Sequence, residues 1–150
     1  MTAKEVVNDF LAQKKIAVVG ASRNKKKFGY MVFKDLKEKG YQVYPVNPNA
    51  ESVDGETCFP DLNNLPEKVD GIVTVVPPAE TERIVLAAAE AGITRIWMQQ
   101  GSESEKAING CKEHNIAYVS GECILMFAEP VVSVHRFHRW IWGFLGKLPK

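Results

Sequence analysis

Short runs of consecutive apolar residues alternate along the chain with longer stretches in which apolar residues recur at helical intervals. A run without polar interruption is typical of a strand that is buried on both faces, as in a parallel sheet. Between residues 51 and 65 the pattern is irregular and predicts at most one short strand. The predicted strands are Ile16–Val19, Tyr41–Val46, a segment within Val69–Val76, Thr94–Met98 and Ile116–Val119.

The stretches between these runs have the periodicity of helices with one apolar face. Thr2 and Glu5 have the spacing of a capping box, which predicts a helix start at the N-terminus. Ser102 and Glu105 repeat that spacing and predict the start of a later helix that runs to about Asn115. Further helices are predicted over residues 30–39, 79–91 and near 133–145.

Strands that alternate with helices favour parallel strands joined by helical crossovers. We therefore expect an α/β fold, a Rossmann-like, doubly wound three-layer sandwich with a mainly parallel sheet of about five strands. A length of 150 residues fits one domain, which we place over residues 1–150. Ligands of such folds bind beyond the carboxyl ends of the strands, where the strand order reverses. The residues that directly follow each predicted strand are therefore the candidate site residues.

Composition and charge narrow the classes of partner. The chain has 19 basic and 18 acidic residues and a net charge of +1, which argues against a nucleic-acid-binding protein. The sequence has no apolar run of transmembrane length and no signal-peptide core, so we expect a cytoplasmic protein without a membrane partner. Its three cysteines are too few for a disulfide scaffold. Cys111 and His114 lack a second well-spaced ligand pair, so no metal site is expected.

The loop after the first predicted strand, residues 20–29, combines small residues with four cations. Small residues let the backbone approach a phosphate, and the following helix N-terminus offers free N–H groups. The spacing matches neither G-x-G-x-x-G nor the P-loop. An ordinary solvated basic loop is the alternative interpretation. The position in a parallel sheet favours a polyphosphate cradle, with candidate residues Gly20, Ala21, Ser22, Arg23, Asn24 and Lys25.

The segment after the second predicted strand contains Asn47 and Pro48. A NAD-binding domain usually has an acidic residue near this position to hold the ribose hydroxyls, and its absence counts against NAD. A neutral amide beside a lysine-rich loop would tolerate a phosphorylated ribose. An ordinary proline and asparagine turn is the alternative interpretation.

Two further strand ends carry candidate contacts. Val76, Pro77 and Pro78 would form a rigid apolar wall suited to an adenine ring, although prolines are also common at a helix start. Gln99 and Gln100 can donate hydrogen bonds to a phosphate or to other polar ligand groups. The alternative for these glutamines is that they are exposed loop amides without a ligand.

The strand-end segments, taken in order, are VVGASRNKKKFG, YPVNPN, VDGIVTVVPP and IWMQQG. This ordered set resembles the CoA-binding domain family, which is related to the N-terminal domain of the succinyl-CoA synthetase alpha subunit and to NDP-forming acyl-CoA synthetases. The closing segments GECILM and HRFHRWIWGFLGKLP resemble those of its short, single-domain members.

The resemblance implies that coenzyme A binds at the strand ends. It would place Ser22, Arg23, Asn24 and Lys25 along the diphosphate and the phosphorylated ribose, and Asn47 and Pro48 beside the nucleotide. It would place Val76, Pro77 and Pro78 near the adenine or the diphosphate, and Met98, Gln99 and Gln100 near the pantetheine or its neighbouring phosphate. The synthetases also carry a second domain with a phosphorylated histidine, which has no visible counterpart here. We therefore expect a protein that binds coenzyme A without catalysis.

Two other functions remain open from the sequence. An NAD(P)-dependent oxidoreductase fragment would share the fold, although the chain lacks the three-glycine fingerprint. A ligand-sensing module that binds a protein partner is the other alternative. The aromatic helix predicted near residues 133–145 would be its contact surface, and it would also suit a homodimer.

Overall fold

The computed structural model of the chain describes residues 2–128. The helix predicted near 133–145 lies outside the described residues. The helices are α1 (Ala3–Leu11), α2 (Phe28–Glu38), α3 (Pro78–Ala91) and α4 (Glu105–Glu113). The strands are β1 (Lys15–Val19), β2 (Gln42–Val46), β3 (Ser52–Val53), β4 (Glu56–Thr57), β5 (Gly71–Thr74), β6 (Arg95–Met98) and β7 (Ala117–Ser120). Within this part of the chain, no helix is long and apolar enough to cross a membrane.

Five strands form one sheet in the order β2-β1-β5-β6-β7, and every neighbouring pair is parallel. This arrangement confirms the predicted doubly wound α/β fold. The chain leaves β1 towards β2 on one side and later returns to β5 on the other side of β1. The helices that follow β1 and β5 therefore cover opposite faces of the sheet, so the strand order reverses here and a crevice is expected at the carboxyl edge.

Helices cover both faces of the sheet, and two apolar clusters fill the space between the layers. The cluster beneath α1 and α2 contains Ile16, Val18 and Trp97, while the cluster beneath α3 and α4 contains Ala17 and Val19. Alternate residues of β1 thus enter opposite layers, and all are at most 6% exposed from Ile16 onward. Burial on both faces explains why the sequence of this strand is an unbroken apolar run.

The structure corrects two local predictions. Helix α4 begins after Ser104, whose hydroxyl accepts a hydrogen bond from Ala107 N at 3.0 Å, so the predicted start at Ser102 was two residues early. The irregular stretch after β2 contains two short strands, β3 and β4, paired as an antiparallel hairpin. Asp54 and Gly55 turn this hairpin with φ angles of 50° and 79°. At the N-terminus the predicted capping box is confirmed, since both of its hydrogen bonds are present.

Candidate functional site

At the expected crevice between β1 and β5, the backbone segments at the ends of neighbouring strands lie in close contact. Gly20 N donates to Val46 O at 2.9 Å, and Val75 N donates to Val19 O at 2.8 Å. Gly20 has a φ of +100°, and a Cβ at this position would lie 2.2 Å from Val75 O. Both the conformation and the lack of space require glycine here. The loop leaving β1 can therefore pass directly against the loop leaving β5.

A second close approach lies at the start of α2. A Cβ at Gly29 would lie 2.0 Å from the carbonyl oxygen of Gly20. The first turn of α2 therefore packs directly on the backbone of the loop after β1. Because the helix axis points its N-terminal N–H groups at this loop, the crevice lies within the positive field of the α2 dipole.

The loop between these two contacts is held in a compact turn by its own polar side chains. Ser22 Oγ accepts a hydrogen bond from Asn24 N at 3.0 Å, and Asn24 Oδ1 accepts one from Lys26 N at 3.0 Å. Lys27 is the N-cap residue of α2 and supplies no side-chain cap, and the first turn contains no acidic residue. The N-terminus of α2 is therefore available to an anion from outside the chain.

The cations of this loop are exposed and have no acidic partner in the part of the chain that the structure describes. Arg23, Lys25, Lys26 and Lys27 are all exposed to solvent, and none forms an ion pair with another residue in the range 2–128. By contrast, the lysines farther along α2 have acidic partners within the chain. Four neighbouring cations without partners among the described residues create a local positive patch on a chain whose net charge is only +1.

Asn47 links the β2 and β1 strand ends. Its Nδ2 donates to Ala21 O at 2.9 Å, while its Oδ1 accepts a hydrogen bond from Asn49 N at 2.8 Å. An aspartate could accept from Asn49 but could not donate to Ala21. Asn47 stands where a NAD-binding domain usually has an acidic residue. Its side-chain amide instead holds the loop that carries the cations.

A polar depression of about 400 Å³ adjoins this link. Larger grooves of about 670 and 790 Å³ lie between α1 and β7 and between α3 and α4, and no predicted site residue lines either of them. The smaller depression does include two predicted residues. Its lining consists of Arg23, Pro48, Asn49, Ala50, Glu51 and Ser52.

On the opposite side of the crevice, the structure places the predicted apolar wall after β5. Val76 is half-buried, and its Cγ1 would lie 2.8 Å from a Cβ at Gly20, so its side chain borders the crevice. Pro77 and Pro78 are exposed at the start of α3. The helix-start interpretation of the prolines is confirmed, because Pro77 is the N-cap residue and Pro78 the first residue of α3, while the apolar wall stays a prediction.

The predicted contacts after β6 separate into two buried side chains and one exposed side chain. Met98 is fully buried in the layer beneath α3 and α4, and Gln99 is only 1% exposed. Gln99 Oε1 accepts a hydrogen bond from Ile124 N at 2.7 Å, so this amide is engaged inside the protein. Only Gln100 presents an exposed side chain at this strand end.

Sequence reasoning missed a cluster of three buried hydroxyl groups at the same edge. Ser102 Oγ lies 2.8 Å from Thr74 Oγ1 and 2.6 Å from Thr81 Oγ1, and all three residues are at most 3% exposed. No local signal marks these residues, since Ser102 is 28 positions from Thr74. The capping-box spacing even assigned Ser102 a different role.

The three thiols differ in environment. Burial raises the pKa of Cys111 to about 11 and also raises the pKa of Cys58. Cys123 is only partly buried and follows β7 at the carboxyl edge of the sheet. It is therefore the thiol accessible from the candidate site.

Curated and solved proteins resemble the chain in sequence and in structure. The alpha subunit of ADP-forming acetate–CoA ligase II from Pyrococcus furiosus is 35% identical over 105 residues, which are 69% of this chain but 23% of that subunit. The uncharacterized protein YneT of Bacillus subtilis is 27% identical over 74% of this chain and 82% of its own length. A solved conserved hypothetical protein from Pyrococcus furiosus is 42% identical with a TM-score of 0.72, over 75% of this chain and 97% of that chain.

The chain thus spans about a quarter of the ligase subunit and most of the short relatives. The model of the CoA binding domain family matches residues 14–129, a range that includes all the strand-end segments described above. With its parallel sheet, its crevice between β1 and β5 and this match, the chain belongs to the CoA binding domain family.

Proposed function

We propose that this chain binds coenzyme A, or an acyl-CoA, at the carboxyl edge between β1 and β5 and catalyses no reaction of its own. The observation that carries the proposal is the loop of residues 22–27, which leads into the N-terminus of α2, where no side chain caps the helix. The cations of this loop form no ion pair with any residue of the described range 2–128. Family membership supports the identity of the ligand. We further propose that residues 1–150 act as a single domain.

The chemistry of coenzyme A suits this edge of the sheet. The molecule carries a diphosphate and a 3′-phosphate, so it is more anionic than NAD. N–H groups at a helix N-terminus and nearby guanidinium and ammonium groups make charge-assisted hydrogen bonds to such oxygens. Arg23 and Lys25 are the exposed cations that we assign to the phosphates.

The other strand ends supply the remaining contacts in this proposal. Pro48 and the depression beside Arg23 would accept the nucleotide, and Val76 with the two prolines would pack against its base. Gln100 would meet the pantetheine, because its side chain is exposed at this strand end and that of Gln99 is not. Asn47 would hold the cationic loop without placing a negative charge beside a phosphorylated ribose.

The small share of the ligase subunit that the matched residues cover supports the proposal of binding without catalysis. The curated relative is named as a ligase of acetate and CoA, and the match covers 23% of its subunit. The shared part contains the strand-end segments, and we infer that this part serves CoA binding in both proteins. The remainder of the ligase subunit would then supply the reaction.

Isothermal titration calorimetry tests the proposal with coenzyme A, dephospho-CoA, NAD and NADP as separate ligands. Coenzyme A should bind most tightly, and its affinity should fall with salt because the exposed cations are screened. Substituting Arg23→Ala and Lys25→Ala together should weaken binding by about a hundredfold or more, since each hydrogen bond to a charged group contributes about 1.5–3 kcal/mol.

The matched control removes two exposed cations of α4, Lys106→Ala and Lys112→Ala, and should leave both affinity and melting temperature unchanged. A chain that binds NAD or NADP but not coenzyme A would refute the proposal and favour the oxidoreductase alternative.

A further inference from the structure

The turn that follows β6 is anchored at both of its ends by buried polar side chains. Ser102 N donates to Gln99 O at 2.8 Å, which closes the turn. At one end, the Ser102 hydroxyl shares hydrogen bonds with the hydroxyls of Thr74, the last residue of β5, and Thr81 in the first turns of α3. The turn is thereby joined to the strand and the helix that border the crevice.

At the other end, the Gln99 side chain reaches the segment beyond β7. Its Oε1 accepts a hydrogen bond from Ile124 N at 2.7 Å, and its Nε2 lies 3.5 Å from Cys123 Sγ. Its backbone N also donates to Thr74 O at 3.1 Å. The backbone and the side chain of this one buried residue therefore connect the carboxyl ends of β5 and β6 to the segment that follows β7.

Between the two anchors, the tip of the turn faces solvent. Gln100 and Gly101 are both exposed, and Gly101 has a φ of +93°. An exposed tip on an anchored base keeps its position without a ligand. A ligand that contacts such a tip loses less conformational entropy on binding than one that must first order it.

Packing alone does not require this polar arrangement. A buried amide or hydroxyl is costly unless its hydrogen bonds are satisfied, whereas a methionine of similar length would fill the space of Gln99 without that cost. The polar side chains instead specify one position for the turn and one for the segment after β7, because each hydrogen bond requires a particular geometry.

We propose that Gln99 and Ser102 are positioning residues for the coenzyme A site. They hold the exposed tip of the turn at Gln100, and the segment with Cys123 that follows β7, in the geometry that binds the ligand. The inference rests on the proposed function. It assigns Gln99 a role different from the direct ligand contact that its sequence position suggested.

Gln99→Met tests the inference, with two measurements on the same protein. The first is the affinity for coenzyme A by calorimetry, which should fall by about five- to tenfold, the cost of ordering one or two side chains on binding. The second is the rate at which dithiobis(nitrobenzoate) modifies Cys123, which should rise by about threefold or more as its segment opens locally. Cys58 and Cys111 are buried and should not contribute.

Ile16→Val is the matched control, because this fully buried residue lies near the amino end of β1, away from the crevice. It should lower the melting temperature without changing the affinity or the Cys123 rate. If Gln99→Met does not fold, Ser102→Ala takes its place with the same expected loss of affinity.

The outcomes distinguish failure of the positioning role from failure of the proposed function. Wild-type affinity in a folded Gln99→Met or Ser102→Ala protein overturns the positioning role, while the proposed function stands. An equal loss of affinity in Ile16→Val also overturns it, since binding would then follow global stability. Failure of the wild-type protein to bind coenzyme A overturns the proposed function and this inference with it.

Discussion

Replacing Gly29 with alanine tests how closely α2 packs on the loop that follows β1. Gly29 is the second residue of α2, and the gain of about 0.5–1 kcal/mol that alanine brings over glycine in an open helix interior is the upper limit here. Here the new Cβ would lie 2.0 Å from Gly20 O and 2.9 Å from Gly20 C. Both neighbours are backbone atoms, so no side-chain rotation can relieve the contact.

The size of the effect follows from that distance. Real Cβ atoms essentially never come within 3.0 Å of such a neighbour, so α2 and the loop must separate by about 1 Å. Overpacking of this kind costs about 1–3 kcal/mol, which exceeds the gain in helix propensity. We expect a net destabilisation of about 1–2 kcal/mol, or a melting temperature lowered by about 2–8 °C for a chain of this length.

Thermal unfolding followed by circular dichroism measures this change, and calorimetry with coenzyme A measures its effect on the site. The affinity should fall by about tenfold or more, because the same displacement moves the cationic loop away from the N–H groups of α2. Gly110→Ala in α4 is the control, since its Cβ would lie 3.0 Å from a side-chain atom, Val85 Cγ1. That contact lies outside the crevice, so the affinity should stay at the wild-type value.

A Gly29→Ala protein as stable as wild type, or more stable, would refute the close packing of α2 on the loop. A destabilised Gly29→Ala protein with unchanged affinity would instead separate the packing from the proposed phosphate site.

The thiols and one ion pair provide two further predictions. At about pH 8, dithiobis(nitrobenzoate) should modify only Cys123 in the native protein and all three cysteines after denaturation. The reason is that burial raises the pKa of Cys58 and raises the pKa of Cys111 to about 11. A second fast-reacting thiol in the native protein would contradict this. The Lys15 ammonium, 2.7 Å from the carboxylate of Glu67, lowers the pKa of Glu67 from 4.5, so the stability from this pair is present above that pH and lost as the pH falls through the lowered pKa. Glu67→Gln should therefore reduce the melting-temperature difference between neutral and acidic solution slightly, and a profile parallel to that of wild type would count against the pair.

The sequence alone was sufficient for the five strands of the parallel sheet and for the carboxyl edge as the candidate site. The run Ile16–Val19 predicts a strand because both of its faces enter apolar layers, and the structure buries it there. Gly92, with a φ of +74°, ends α3 where the helical pattern ends. Such signals are local, since burial on both faces and a left-handed cap each constrain residues at one place in the chain.

The grouping of the strand-end segments was also predictable. Parallel strands joined by crossovers place all their carboxyl ends at one edge of the sheet. The residues after β1, β2, β5 and β6 must therefore lie at that same edge. The choice among the phosphate cradle, the solvated loop and the NAD alternative was not made by this argument. The proposal of a phosphate cradle rests on the ordered segments and on membership of the family.

The direction of individual side chains was decided only by the tertiary structure. Gln99 and Gln100 are adjacent and chemically identical, yet one is buried against Ile124 and the other is exposed. Asn47 contacts Ala21 across 26 positions of the chain. Such pairings follow from which strands become neighbours and how closely their loops approach, and these distances are set by the packing of the whole sheet. The local sequence pattern indicates which positions are buried. The hydrogen-bond partner of a buried polar atom, by contrast, comes from a distant segment and is in reach only when that segment has folded into place.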